Sequence, residues 1–209
     1  MNGKQILLKT IRKKGILSLF PILLIDGMII AAFVCFEIPI SEQLGLVIIV
    51  SLISLPLIVK NIMNIAVPEK SRLMKKRPEL LNIAEEHFKN IIINNKNLKV
   101  MVSNRYISFK NDPDIQPLDE LYIVYKHEDM LEFIRYNKSL KFDFARKDKE
   151  ISANFVSDKK ILAFLEELSN YANNMRIGYN DENIDYYNEM RKKWLEDNNI
   201  SQKKGLFRR

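Results

Sequence analysis

Two apolar runs near the start, residues 16–36 and 44–59, constrain this chain more than anything that follows them. A bilayer core about 30 Å thick needs roughly 20 mostly apolar residues at about 1.5 Å rise each. Residues 16–36 supply that length with a single charge, Asp26. The second run is free of charge over residues 43–59 and continues past Lys60 through Ile62, Met63, Ile65, Ala66 and Val67. Lys60 can carry its ammonium to the headgroups while its stem stays in hydrocarbon. Buried helices of a soluble protein normally keep a polar face, and neither run has one. Residues 16–67 therefore read as a transmembrane helical hairpin, with Glu37 and Glu42 in its connecting loop and with Pro21 and Pro56 tolerated as they are in membrane helices. A secretory signal would be shorter and would lack Pro21 and Asp26.

The cations set the expected orientation. Lys4, Lys9, Arg12, Lys13 and Lys14 precede the first run, Lys60, Lys70, Arg72, Lys75, Lys76 and Arg77 close the second, and the loop has no Lys or Arg. The positive-inside rule then puts both termini in the cytoplasm of a multi-pass cell-membrane protein. Asp26 falls roughly 15 Å inside the first span, near the bilayer centre, with Ser51 and Ser54 at a similar depth on the returning helix. An unsatisfied carboxyl group in hydrocarbon is costly, so Asp26 is expected to face Ser51 and Ser54 or another subunit, serving packing and assembly or ion handling.

After the hairpin, Lys70, Arg72, Lys75, Lys76 and Arg77 form a polybasic segment at headgroup level, a site for anionic lipid that also fixes topology. The chain divides as a basic cytoplasmic N-terminus (1–15), the hairpin (16–67), a juxtamembrane basic segment with an amphipathic helix (68–97), a sheet domain with its helix (98–180), and a C-terminal amphipathic helix with a basic tail (181–209). In the juxtamembrane helix Leu81, Ala84, Phe88, Ile91 and Ile92 make one apolar face, suited to the domain core or to a second copy of the chain, and His87 lies beside it as a surface or boundary residue.

From residue 98 the period falls to two. Strands are expected over 98–102, 105–110, 121–126, 130–136, 140–145 and 150–156, with turns at Ser103-Asn104, 127–129, Asn137-Lys138 and 146–149. Leu140, Phe142 and Phe144, then Ile151, Ala153 and Phe155, alternate toward one buried face. Tyr106, Tyr122, Tyr125 and Tyr136 are left for the outer faces, where aromatics suit an interface. Ser157 or Asp158 caps a helix with apolar Ile161, Leu162, Phe164, Leu165, Leu168 and Tyr171. An extended segment follows at 175–179, then a helix with Ile184, Tyr187, Met190 and Trp194 on one side. The class is α+β, an antiparallel sheet after a helical hairpin.

Several chemistries lack their residues. One cysteine, Cys35, excludes an intrachain disulfide and any multi-cysteine metal site, and His87 and His127 are the only histidines. Of the six glycines only Gly178 falls between residues 68 and 200, so no phosphate-cradling glycine loop exists in the domain. No cofactor is expected. Asp112, Asp114, Asp119 and Glu120 form an acidic loop, and Glu166 neighbours Glu167, but neither group has a base or nucleophile beside it, so no enzyme is read here. The net charge of +7 is concentrated at the membrane end and in the tail, with Lys203, Lys204, Arg208 and Arg209 around Leu206 and Phe207. That favours anionic lipid over nucleic acid.

The segments RYISFKNDPDIQPLDELYIVY at residues 105–125 and NNMRIGY at 173–179 carry a resemblance to a loose group of small, functionally uncharacterised bacterial membrane proteins, in which two spans precede a cytoplasmic pleckstrin-homology-like domain. The resemblance covers roughly residues 98–180 and implies a curved antiparallel sheet closed by a C-terminal helix. That family has seven strands before its helix where six are read here, which leaves a first strand to be sought near residues 91–97. Its phosphoinositide-binding members carry a basic cluster on the first hairpin, whereas here only Lys99, Arg105 and Lys110 are spread over it. The implied role is a membrane-anchored interaction or scaffolding module whose partner is a protein, a second copy or the bilayer. The alternative is an immunity or accessory membrane protein acting through the hairpin and Asp26.

Overall fold

A computed structural model of the chain describes residues 2–35, 40–131 and 134–198. These fall into two units, Met1–Lys89 with Phe109–Ile115, and Asn90–Ser108 with Gln116–Arg209. Glu37 of the expected extracellular loop and the basic tail at 201–209 lie outside the described residues, as do the side chains of Glu42 and Tyr136.

In the first unit, helix α1 (Gly3–Cys35) begins earlier than the apolar run. Asn2 and Gln5 cap each other reciprocally, the Gln5 amide donating to Asn2 Oδ1 at 3.3 Å and the Asn2 amide to Gln5 Oε1 at 3.3 Å. This is a capping-box arrangement. The expected basic N-terminal segment is thus helical. Its stripe Gly3, Leu7, Ile11 and Gly15 is buried, while Lys9, Arg12, Lys13 and Lys14 point outward. At 33 residues α1 is roughly 50 Å long, more than a bilayer needs.

Helix α2 (Ile40–Ala66) returns beside α1. A 3-10 turn at Pro68–Lys70 and the short helix α3 (Arg72–Lys76) follow, the latter capped by the Ser71 hydroxyl, which accepts from the Met74 amide at 3.3 Å. Helix α4 (Leu80–Lys89) then packs on α1. Its buried residues are Leu80, Ala84 and His87, so the histidine is not at the surface as expected. Ile91 and Ile92 leave the helix altogether, because a run of three β-branched isoleucines favours the extended backbone.

Among the described residues of the second unit there are two four-stranded sheets, so the expected single six-stranded meander is corrected to eight strand segments. The first sheet runs β1 (Ile91–Asn95), β2 (Val100–Ser103), β3 (Tyr106–Phe109), β4 (Gln116–Pro117) in that order. Its β1 is the strand sought near residues 91–97. The second sheet has the order β7 (Lys149–Ser152), β6 (Ile134–Phe144), β5 (Leu121–Leu131), β8 (Arg176–Ile177), and β8 lies parallel to β5. The turns expected at 127–129 and 137–138 are strand instead. Polar side chains can stay in a ladder when they are paired there: His127 Nε2 lies 3.0 Å from Asp129 Oδ1, and Asn137 donates to Asp129 Oδ2 at 2.8 Å.

Residues 121–125 are buried without alternation, the pattern of a strand covered on both faces. Tyr122 and Tyr125 therefore sit in the core rather than outside, clustered with Ile123, Ala145 and Tyr187. Tyr187 comes from helix α6 (Asp181–Asp197), capped by Asn180, whose side chain accepts from the Asn183 amide at 2.8 Å. Tyr186, Met190 and Trp194 of α6 pack against the same cluster, close to the face read from the sequence. Helix α5 (Asp158–Ser169) buries Ile161, Phe164, Leu165 and Leu168 and leaves Leu162 exposed.

Candidate functional site

The hairpin's polar residues follow from its helical seam. Along α1 the half-buried positions are Leu19, Ile22, Asp26 and Ile29, continuing the stripe that begins at Gly3. Along α2 they are Val50, Ser54, Ile58, Asn64 and Ile65, with Asn61 fully buried. Spacings of three and four keep each set on one face. Asp26 and Ser54 thus both lie on the seam. Ser51 does not: it is exposed and lines a shallow apolar groove of about 350 Å³ on the outer face of α2, with Val47, Ile48, Leu52, Leu55 and Pro56. Outside the seam, residues 16–32 of α1 and 47–59 of α2 are apolar apart from Ser18 and Ser51, and only 6% of the most apolar window of each helix is buried. Two helices in the described chain are long and apolar enough to cross a membrane, Gly3–Ala32 and Val47–Ala66.

The five cations after the hairpin separate into two groups. Lys70, Arg72, Lys75 and Lys76 are exposed. Arg77 is engaged, donating from Nη1 to Asp114 Oδ1 at 2.6 Å and to the Ile115 carbonyl at 3.1 Å, and from Nε to Glu79 Oε1 at 3.1 Å. Lys13 donates to Asn111 Oδ1 at 3.0 Å, and Lys14 lies 3.5 Å from Asp112. The acidic loop considered as a cation site is thereby divided: Asp112 and Asp114 answer the cations of the first unit. In the second, Glu120 receives a two-point contact from Arg146 Nε at 3.0 and 2.8 Å. Among the described residues no three His, Cys, Asp or Glu side chains converge to hold a metal ion.

In the second unit a pocket of about 190 Å³ beside β6 and β7 is lined by Lys141, Asp143, Asp148, Lys149 and Glu150. Tyr187 donates its hydroxyl to Asp148 Oδ1 at 3.1 Å and receives a bond from Arg191, whose Nη1 lies 3.8 Å from the same carboxylate oxygen. Two lysines and three carboxylates line this pocket. The arrangement braces α6 on the sheet and presents no nucleophile beside a base.

The titrations displaced by their surroundings include those of His87, Tyr122 and Asp158. Burial holds the His87 imidazole down to about 4, so it is neutral near pH 7. Burial, with Glu120, Tyr186, Asp119 and Asp197 adding negative charge, pushes the Tyr122 phenol up to about 12. Hydrogen bonds from Lys126 and Lys138 hold Asp158 below the usual carboxylate range. None of the three groups lines the pocket.

The chain matches no protein-family model, no curated relative and no solved structure. Its site residues therefore rest on geometry alone. The engaged set Lys13, Lys14, Arg77, Asn111, Asp112 and Asp114 was hidden in the sequence by separations of up to 98 residues. The local signal in the sequence is the turn-forming run Asn111, Asp112, Pro113 and Asp114, and in the structure Asn111 takes a left-handed backbone at φ +70°.

Proposed function

We propose that the chain is a membrane-anchored interaction or scaffolding module, its hairpin crossing the cell membrane twice with both termini in the cytoplasm. Its second unit is read as a pleckstrin-homology-like sheet domain. The observation that carries the anchor is the outward apolar surface of both helices, with Phe20, Met28, Leu52 and Ile53 among the most exposed large hydrophobic side chains described. Such a continuous apolar surface is not stable in water and is matched by hydrocarbon. The exposed Lys70, Arg72, Lys75 and Lys76 then contact anionic headgroups, at about 1 kcal/mol per cation. In favour of the domain reading, seven strand segments precede α5, the number the resemblance implies.

The position of Asp26 on the seam with Ser54 favours a packing and assembly role for the acid over an outward contact with another protein. The anchor is tested by alkaline carbonate extraction of native membranes, which leaves an integral protein in the pellet. Its topology is tested by labelling Cys35, exposed at the end of α1, with an impermeant maleimide on intact cells. Release into the carbonate supernatant, or labelling only after the cytoplasm is opened, sinks this reading.

A further inference from the structure

Residues 150–156 read as a strand that turns Phe155 inward, yet Phe155 is fully exposed. The ladder stops at Ser152, and a turn closes from the Val156 amide to the Ala153 carbonyl at 2.9 Å, placing Phe155 at its apex. One buried residue holds that turn. Lys138 accepts from the Ala153 amide at 2.7 Å, donates its own amide to Asn154 Oδ1, and donates its ammonium to the Val156 carbonyl and, at 3.2 Å, to Asp158 Oδ1. Asp158 also accepts from Lys126 at 3.1 Å. A turn fixed from both sides does not let the ring fold back onto the core.

The exposed residues that follow the ring in the chain are apolar and basic. Leu162, one turn into α5, is exposed, and so are Lys159 and Lys160. Lys159 and Leu162 are three apart on the helix and share a face. Because Lys126 and Lys138 already answer the Asp158 carboxylate, Lys159 and Lys160 leave this corner positive. Glu166, four residues after Leu162, borders that face on its far side, and Glu167 turns away from it.

We propose that Phe155 and Leu162, flanked by Lys159 and Lys160, form a second membrane contact, in which the ring enters the interface of an anionic bilayer while the ammonium groups meet its headgroups. Aromatic and aliphatic side chains bordered by lysines are the composition that binds such interfaces. The contact rests on the reading of the hairpin as an anchor, since a tether on the same chain raises the effective concentration of a weak surface site. A protein partner would want a broader apolar patch with few charges at its centre.

The test uses the full chain with Cys35→Ser and Phe155→Cys, labelled with an environment-sensitive nitrobenzoxadiazole dye. It is reconstituted in phosphatidylcholine vesicles with or without phosphatidylglycerol, then washed in alkaline carbonate. A matched chain carries the label through Glu167→Cys. In retained protein the label at position 155 is expected to shift to the blue and to be quenched several-fold more by doxyl-phosphatidylcholine than the label at 167. That difference is expected to fall when phosphatidylglycerol is omitted or when Lys159→Ala and Lys160→Ala are combined. Equal, water-like emission at both positions in anionic vesicles overturns the contact while the anchor stands, and loss of protein in the wash overturns both. A photo-crosslinker at position 155 that captures a protein rather than lipid in native membranes also overturns it.

Discussion

The α-carbon of Gly3 lies so close to Ala84 that a β-carbon at residue 3 would overlap the Ala84 carbonyl and the Glu85 α-carbon. Backbone cannot swing aside as a side chain does, so the start of α1 and the middle of α4 meet at a distance only glycine permits. Beside that contact Lys4 Nζ pairs with Glu85 Oε2 at 3.1 Å. Gly15 makes a milder version of the contact with α2, its β-carbon position lying 3.0 Å from Ile65 Cγ1 and 3.1 Å from the Asn61 carbonyl. Gly27 has open space. Gly3→Ala is expected to destabilise the protein by about 1–3 kcal/mol, the range for overpacking, Gly15→Ala by less, and Gly27→Ala hardly at all. Thermal unfolding in a mild detergent orders the three; equal midpoints would mean that α1 and α4 do not meet in this way.

His87 links stability to pH with a definite sign. Its imidazole is buried and held down to about 4, against 6.5 in an unfolded chain. The unfolded state therefore binds the proton more readily between those values, so stability is full above about pH 6.5 and falls as pH drops toward about 4. The displacement corresponds to on the order of 3 kcal/mol. Urea midpoints taken between about pH 7 and about pH 5 should decline in the native chain and decline less in a His87→Gln variant. Parallel slopes would place the titration elsewhere.

Some of this fold could be read directly, and the rest was masked for physical reasons. The two long apolar helices are legible from length and composition, and the hairpin of β2 and β3 and helices α5 and α6 each carry their own period, so local pattern was enough to find them. The first half of α1 was not legible, because its buried stripe is two glycines and two aliphatics set among Lys4, Lys9, Arg12, Lys13 and Lys14, a composition that reads as loop. The long pairing of β5 with β6 was masked by a polar stretch whose side chains satisfy one another in place, as His127 does with Asp129. Tyr122 and Tyr125 were misplaced because alternation assumes one wet face, and both faces of β5 are covered there. In the hairpin, Ser51 and Ser54 are both expected from the sequence to face Asp26 and only Ser54 lies on the seam, since position along a helix says nothing about which side of it a residue occupies.

Lys99 occupies a left-handed backbone position at φ +59° at the end of the β1–β2 turn, where the Leu98 amide donates to Asn95 Oδ1 at 3.0 Å. A lysine β-carbon is crowded in that conformation, at about 1–2 kcal/mol, and glycine is not. Lys99→Gly is expected to stabilise the chain by about 1 kcal/mol despite the freedom it adds to the unfolded state. Asn111→Gly should gain little or lose, since asparagine tolerates the region and its side chain accepts from Lys13. Urea unfolding of both variants decides the matter; a loss in Lys99→Gly would refute the strained turn.

Arg77 and Asp114 are joined by a short ion pair, with side chains 13% and 16% exposed. Removing one member leaves its partner desolvated and unanswered, which costs more than the bond itself contributes. Arg77→Ala is expected to destabilise the protein by about 2 kcal/mol, whereas Lys75→Ala and Lys76→Ala, on exposed side chains, should stay within about 0.5 kcal/mol. The effect should be local as well as global. The loop at 109–115 keeps its own bonds from the Asp112 amide to the Phe109 carbonyl at 3.0 Å and from the Asp114 amide to Asp112 Oδ1 at 3.2 Å, and both should exchange faster with solvent once the guanidinium is gone. Asp114→Asn should produce the same loosening, and the double variant should cost less than the two singles together, because they remove one interaction. If Arg77→Ala behaves like Lys75→Ala in both urea unfolding and hydrogen exchange, Arg77 belongs with the exposed juxtamembrane cations and not with the loop.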